Sequence, residues 1–395
     1  MTERIALAEV AEINPRVRRS MRDRDASAMV PFIAMAAVSE TGAVSYDERR
    51  PLGGLLQGYT AFERGDVLLA KITPCFENGK ATHVTDLPAD VGFGSTEFHV
   101  LRPRATIDGR YLFHAIWNPA LRRAGERQMS GTAGQKRLPT DFLRAYKIPV
   151  PPLAEQRRIA AILDHADAIR RKVREALRLL DAFLQSAFRD IFGDLARNAM
   201  GWEMVAFPEL LQQPLRNGLS PATGGTVIAP VLTLSAISGP RFEPAAVKIA
   251  SFAHSAAPGQ HADERDFLIC RGNGNLNLVG RGHFPHGLPD HTLFPDTMIA
   301  ARINRSRAEP RFFEALWMTD AVRRPLERGA RTTSGIHKIN QQVLLSLTVP
   351  LPPIDVQRRF ARIAQVASGM RARLFAGAAE DLMASLTQRA FLEPV

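Results

Sequence analysis

The sequence repeats itself, and nothing else in it constrains the fold as tightly, because a duplicated chain must build two similar units. Ile148-Pro149-Val150-Pro151-Pro152-Leu153, followed by Gln156-Arg157-Arg158, returns as Val349-Pro350-Leu351-Pro352-Pro353-Ile354, followed by Gln357-Arg358-Arg359, an offset of 201. Gly65-Asp66-Val67-Leu68-Leu69 answers Arg265-Asp266-Phe267-Leu268-Ile269, and Tyr111 to Trp117 answers Arg311 to Trp317. Arg122-Arg123 answers Arg323-Arg324, and Gly134 with Leu138 answers Gly335 with Ile339. Ile5, Leu7 and Glu9 answer Val205, Phe207 and Glu209. A collinear series of this kind marks a duplication, and 395 residues suffice for two or three folding units.

Each half divides in two. The first ~150 residues are short apolar stretches punctuated by Gly, Pro, Asn and Asp, which reads as strands, turns and a few helices. Phe62 to Ile72 and Phe98 to Leu101 are expected strands. Leu112 to Arg123 has helical spacing, with Phe113, Ile116, Trp117 and Leu121 on one core-facing side, and Phe313 and Trp317 are expected in the core as well. Cys75 and Cys270 form neither a disulfide framework nor a four-thiolate metal site; both read as small core residues in strand-like stretches.

From Ala154 to about Asp190 there is neither Gly nor Pro. Ile159, Ala166, Val173, Leu180 and Ala187 recur every seventh residue, with Ile162, Ile169, Ala176 and Phe183 as a second row, the pattern of a coiled-coil seam. Phe360, Ile363, Ala367, Met370 and Leu374 repeat it until Gly377 interrupts, and Leu382 and Leu386 resume in shifted phase. Neither helix buries its stripe alone, so the two are expected to pair. A pseudo-two-fold axis makes that pairing antiparallel, giving a rod with a globular domain at each end.

The formal charge of +11 favours a polyanionic partner, since Lys and Arg release counterions when they neutralise phosphates. Arg and Lys reach guanine, whereas Asn and Gln pair with adenine. The candidate DNA-facing residues of the first half are Lys71, Thr73, Asn78 and Lys80, in one Gly/Pro-bounded loop, and Gln135, Lys136 and Arg137 of the loop Gly131 to Arg137. Those of the second half are Arg271, Asn273, Asn275 and Asn277, with Ser334, His337 and Lys338 of the loop Thr332 to Lys338. The cluster Arg16, Arg18, Arg19, Arg22 and Arg24, broken by Asp23 and Asp25, reads as a solvated loop. The charged start Met1-Thr2-Glu3-Arg4 lacks the apolar core of a signal peptide, and no run approaches the ~20 apolar residues of a membrane span, so a cytoplasmic, reduced protein is expected.

The segment Pro151-Pro152-Leu153-Ala154-Glu155-Gln156-Arg157-Arg158-Ile159, running into a long helix that ends at Ile191-Phe192-Gly193-Asp194, resembles the central conserved region of type I restriction–modification specificity subunits. Lys71 to Lys80 and Gly92 to Phe98 resemble one type of that family's first target-recognition domain, which adds Ser95 and Thr96 to the candidates. Arg271 to Asn275 with Val279-Gly280-Arg281 resembles another type and adds Arg281. The likeness covers essentially the full chain. It implies an α+β protein with two target-recognition domains of small β-rich sheets plus helices, separated by two long antiparallel coiled-coil helices. The corresponding division is 1–152 and 195–351 for recognition, 153–194 and 352–395 for the helices. The resemblance also implies a bipartite duplex DNA site, two docked methyltransferase subunits, and motor–nuclease subunits as an optional addition.

Two other function classes fit the sequence less well. A DNA-modifying enzyme needs an Asp/Asn-Pro-Pro-aromatic motif; Pro151-Pro152 and Pro352-Pro353 lack the preceding acid or amide and are followed by Leu153 and Ile354. The Gly-rich stretch Gly272 to Gly282 opens no helix, and no Gly-Lys-Ser/Thr sequence occurs. Pro289-Asp290 and Pro295-Asp296 lead into no strand bearing an acid–x–Lys pair, and the dispersed histidines offer no metal spacing. No catalytic residue, metal or cofactor is therefore expected. A scaffold that binds only proteins fits the charge and the loop chemistry poorly.

Overall fold

The duplication in the sequence is a duplication of hydrogen bonds. In a computed structural model describing residues 3–16, 23–132, 134–333, 335–376 and 379–391, strand Val67–Ala70 pairs antiparallel with Phe98–Pro103, Leu68 facing Val100. Strand Asp266–Cys270 pairs with Met298–Arg302 in the same register, Leu268 facing Ala300. Each pair is flanked by a third strand, Ala81–His83 or Gly282–His283, and a fourth, Ala11–Ile13 or Arg216–Asn217. Arg4–Ala6 pairs with Lys147–Pro149, and Glu203–Ala206 with Thr348–Leu351. The N–H of Leu7 donates to the Tyr146 carbonyl at 2.9 Å, and that of Phe207 to Leu347 at 2.9 Å.

The chain divides into two units, one of Met1–Arg174 with Gly377–Val395, the other of Glu175–Ala376. The first adds a second four-stranded sheet, in the order Arg49–Pro51, Met29–Ile33, Val91–Gly94, Thr60–Glu63. The stretch expected as one strand from Phe62 to Ile72 is two, Thr60–Glu63 and Val67–Ala70, because Gly65 turns the chain with φ of 90°. The single expected helix from Leu112 to Arg123 is likewise two, Gly109–Trp117 and Pro119–Glu126. Asn118 ends the first and caps the second, its side chain accepting the Ala120 N–H, ahead of Pro119 at the first helical position. Asp108 caps the first helix through the N–H groups of Arg110 and Tyr111. Phe113, Ile116 and Leu121 are buried and Trp117 packs beside them. Cys75 is a correction: it is half-buried in the turn after the strand, not a strand residue.

The second unit carries the ribbon Val227–Leu232 with Val247–Phe252 and a small sheet of Gly272–Asn273, Ile336–Lys338 and Arg331–Thr333. Cys270 is buried in its strand, and Phe313 and Trp317 lie in an aromatic core with Phe207 and Phe267. The Trp317 indole donates to the Gly280 carbonyl at 2.7 Å, as Trp117 does to Gly79 at 3.0 Å. Both glycines have positive φ, and a Cβ at either would stand under 3 Å from a neighbouring side chain, Arg122 at Gly79 and Leu326 at Gly280.

The Gly/Pro-free stretch is one helix, Leu153–Phe192, stopped by Gly193 at φ of 70°. Its turns up to Arg174 belong to the first unit, where Ala160, Leu163 and Ala166 share a core with Met383 and Phe391 of helix Ala379–Phe391. Its last turns belong to the second unit, packed against helix Ile354–Ala376. There Asp181 pairs with Arg371 while Phe188 meets Phe360, ring centroids 5.1 Å apart, so the two segments run antiparallel. Of the residues expected in the seam, Ala166, Phe360 and Ala367 are buried, and Ile159, Val173, Leu180, Ile363 and Leu374 are half-buried. Ile162, Ile169 and Met370 are exposed. In the first unit the buried row is Ala160 and Leu163, one residue beyond Ile159 and Ile162, because the helix also covers the domain beside it. The predicted interruption at Gly377 lies outside the described residues.

Candidate nucleic-acid interface

In each unit the central strand pair delivers its last residue into a set of loops. Lys71 follows strand Val67–Ala70; its N–H donates to the Glu97 carbonyl at 2.9 Å and its own carbonyl accepts the Leu138 N–H at 2.8 Å. Arg271 follows Asp266–Cys270; its N–H donates to Thr297 at 2.8 Å and its carbonyl accepts from Ile339 at 2.9 Å. Three loops distant in sequence are thereby pinned together in each half: the one after the strand, the turn before the next strand, and the late loop.

The first set brings Lys71, Thr73, Ser95, Thr96, Lys136 and Arg137 together. The N–H of Thr73 donates to the Lys136 carbonyl at 2.9 Å, Ile72 pairs with Arg137, and the Arg137 guanidinium grips Glu97 at 2.8 Å. That grip holds the Glu97 carboxyl below its usual range. Thr73 Oγ1 donates to Glu77 at 2.8 Å, and Ser95 Oγ accepts the Glu97 N–H at 3.2 Å. Thr96, Gln135 and Lys136 are exposed, as is Asn78 on the far side of the turn. Lys80 lies apart, its ammonium donating to the Met35 carbonyl at 3.2 Å.

The second set joins Arg271 and Asn273 to His337 and Lys338, which pair strand to strand. Asn273 and Asn275 use their side-chain oxygens locally, accepting the N–H groups of Asn275 at 2.9 Å and Asn277 at 3.0 Å. Asn277 is exposed. His337 Nδ1 lies 2.9 Å from Thr332 Oγ1. Arg281 is committed to the fold, donating to the carbonyls of Asn277 and Ser238. Ser334 lies outside the described residues. Among the described residues, Lys136 and Lys338 form no salt bridge, and the Lys71 charge acts on the nearby Glu97 carboxylate without bonding it.

One contributor escaped the sequence. A cleft of about 470 Å³ beside Lys71 is lined by Asn14, Arg16 and Tyr59. By sequence Arg16 belongs to a solvated arginine loop, and no local pattern joins it to Lys71. Of the rest of that cluster, Arg24 pairs with Asp90 at 3.6 Å, and Arg18, Arg19 and Arg22 lie outside the described residues.

Residues 2–178 match the type I restriction modification DNA specificity domain. Over these residues the chain is similar to the type I restriction–modification specificity subunits. It is 41% identical over 159 residues to the EcoEI specificity subunit of Escherichia coli, a match covering 40% of this chain and 26% of that one. It is 43% identical over 155 residues to the EcoAI specificity subunit of the same organism, covering 39% and 26%. Against the EcoKI specificity subunit of strain K12 the identity is 26% over 298 residues, covering 72% and 63%. The chain thus spans about a quarter of the length of the first two relatives. The S subunit of a type I restriction–modification system from M. genitalium shares the fold at TM-score 0.57 and 11% identity, over 100% of this chain and 97% of that one. A chain from a solved type I R-M system does so at TM-score 0.50 and 20% identity, over 98% and 97%. Both solved chains share the fold described above, α+β with small sheets and long helices. Among the described residues no helix is long and apolar enough to cross a membrane.

Proposed function

We propose that the chain is the specificity subunit of a type I restriction–modification complex: a non-catalytic, cytoplasmic reader of a bipartite duplex DNA site that directs two methyltransferase subunits to it. Motor–nuclease subunits are an optional addition, and the chain itself uses no cofactor. In this reading residues 1–152 and 195–351 each take one half-site, and residues 153–194 and 352–395 set the gap between the halves. The candidate DNA-facing residues divide by role. Lys71, Lys136 and Lys338 contact phosphate, while Thr73, Asn78, Thr96, Gln135, Arg271, Asn273, Asn277 and His337 are the candidates for base edges.

One observation carries the reading. The same backbone hydrogen bond, Leu138 to Lys71 and Ile339 to Arg271, gathers equivalent loops in both halves, yet the loops carry different side chains. Conserved scaffolding with divergent tips suits two readers of two different sequences.

The first test is retention of duplex DNA by the full chain as salt is varied. Phosphate neutralisation predicts that log affinity falls linearly with log salt concentration. Retention absent at low salt, or unaffected by salt, would remove the DNA reading.

A further inference from the structure

The second unit has a cavity of about 290 Å³ where helix Pro310–Trp317 meets the start of helix Ile354–Ala376. Glu309, Arg311, Arg358, Ala361, Arg362 and Gln365 line it. Arg311 is held in place, donating to Ser368 Oγ at 2.9 Å. Arg358 and Arg362 are exposed and, among the described residues, have no acidic partner. Glu309 is spent on the helix cap, its carboxylate accepting the Phe312 N–H at 2.9 Å.

The internal repeat supplies the control. At the offset of 201, the equivalent residues of the first unit are Asp108, Arg110, Arg157, Ala160, Ala161 and Asp164. There the charges cancel: Arg110 pairs with Asp164 at 2.6 Å, and Arg157 stands 3.7 Å from Asp108. In the second unit Asp164 has become Gln365 and Ala161 has become Arg362, so the lining changes from neutral to a net charge of +2. An internal counter-ion has been lost at the position where a cation was gained. An anionic group on a partner would restore the balance.

We propose that Arg311, Arg358 and Arg362 form a socket for the carboxylates of an acidic segment on a partner protein, present in the second half only. Guanidinium groups suit the task because they bind carboxylates through two parallel hydrogen bonds. A DNA phosphate fits the position poorly. Helix Pro310–Trp317 starts at the socket and ends where Trp317 bonds Gly280, whose N–H is bonded to the Cys270 carbonyl beside the candidate DNA loops. Its eight residues separate the two by roughly 12 Å. Arg302, the last residue of the strand that leads toward this helix, stands at the end of the strand pair opposite Arg271. The proposal rests on the reading of the chain as one subunit of a complex, and it marks the two halves as unequal docking surfaces.

The test titrates fluorescein-labelled octaglutamate with the full chain, in saturating duplex DNA so that the DNA loops are occupied. The variant Arg362→Ala/Gln365→Asp restores the first unit's composition at exposed positions, and Arg358→Gln serves as a second variant; thermal melting checks that both fold. Each is expected to weaken octaglutamate binding about tenfold while leaving duplex binding within about twofold. Octaglutamate binding unchanged in both variants overturns the socket. An equal loss of peptide and DNA affinity also overturns it and assigns the arginines to the phosphate surface. If wild-type chain binds octaglutamate through the socket but retains no DNA, the DNA reading fails and the socket stands.

Discussion

The side chain of Gln357 accepts the backbone N–H of Glu309 at 2.8 Å. Its amide nitrogen donates to the carbonyls of Arg307 and Pro352 at 3.0 and 2.7 Å, all from a fully buried position. Gln156 makes the same three bonds, to Asp108, Thr106 and Pro151, and is equally buried. In each half one amide thus ties the start of a long helix to the turn that precedes the helix Gly109–Trp117 or Pro310–Trp317. Gln357→Leu keeps the volume but strands a buried N–H and two carbonyls. A loss of roughly 1–3 kcal/mol is expected in chemical unfolding, with a similar loss for Gln156→Leu. A neutral result would show that these bonds do not hold the junction.

Asp266 is fully buried and receives Arg302 at 2.5 Å and Arg216 at 2.5 Å. Removing one member of a buried charged set leaves the others uncompensated, which typically costs about 3–5 kcal/mol. Asp266→Asn is expected to fall in that range by denaturant unfolding. The repeat partner Asp66, paired with Arg102 at 2.8 Å and bonded, among the described residues, to no second arginine, is expected to cost less.

His99 links the first interface to pH. Its Nδ1 takes a hydrogen bond from the Asn14 amide at 3.2 Å, and its Nε2–H donates to the Leu138 carbonyl at 2.9 Å, the residue that closes the late loop. Burial pushes its pKa down to about 4; the Leu138 carbonyl opposes this, and the nearby Lys71 charge adds to it. The unfolded ring titrates near 6.5, so between about pH 6.5 and 4 the unfolded chain binds the extra proton. Stability is therefore fully present above pH 6.5 and falls by about 3 kcal/mol as the pH drops through that window. His99→Gln is expected to flatten this part of the profile in thermal melts across pH. An unaltered slope would show that another group titrates there.

Lys136 and Lys338 are exposed in the two late loops. Replacing either with Ala is expected to weaken duplex binding of any sequence and to lower the salt slope by about one charge. Anisotropy titrations at several salt concentrations read both effects. A change confined to one sequence would instead make the lysine a base reader.

Much of this was legible in the chain because duplication makes patterns checkable twice. Gln156 and Gln357 stood out as repeated letters, and the Gly/Pro-free run became helix Leu153–Phe192. What escaped was what depends on partners far away in sequence. The heptad rows fit a helix that faces only another helix, whereas Leu163 is buried in a core shared with the strands and helices of the first unit. Lys80 and Arg281 looked like DNA contacts, but their side chains donate to the backbone at Met35 and Ser238, over sequence separations no local rule anticipates. Arg16 reaches the Lys71 cleft for the same reason.

The most direct measurement is a methylation map. The full chain is co-expressed with a type I methyltransferase subunit, and methylated adenines are located by long-read sequencing. The map is then repeated after residues 271–281 and 331–338 are exchanged for the corresponding loops of a relative. Two unlike half-sequences at fixed separation are expected, with the exchange altering one and sparing the other. Methylation at a single unbroken motif, or an exchange that rewrites both halves together, would contradict the account.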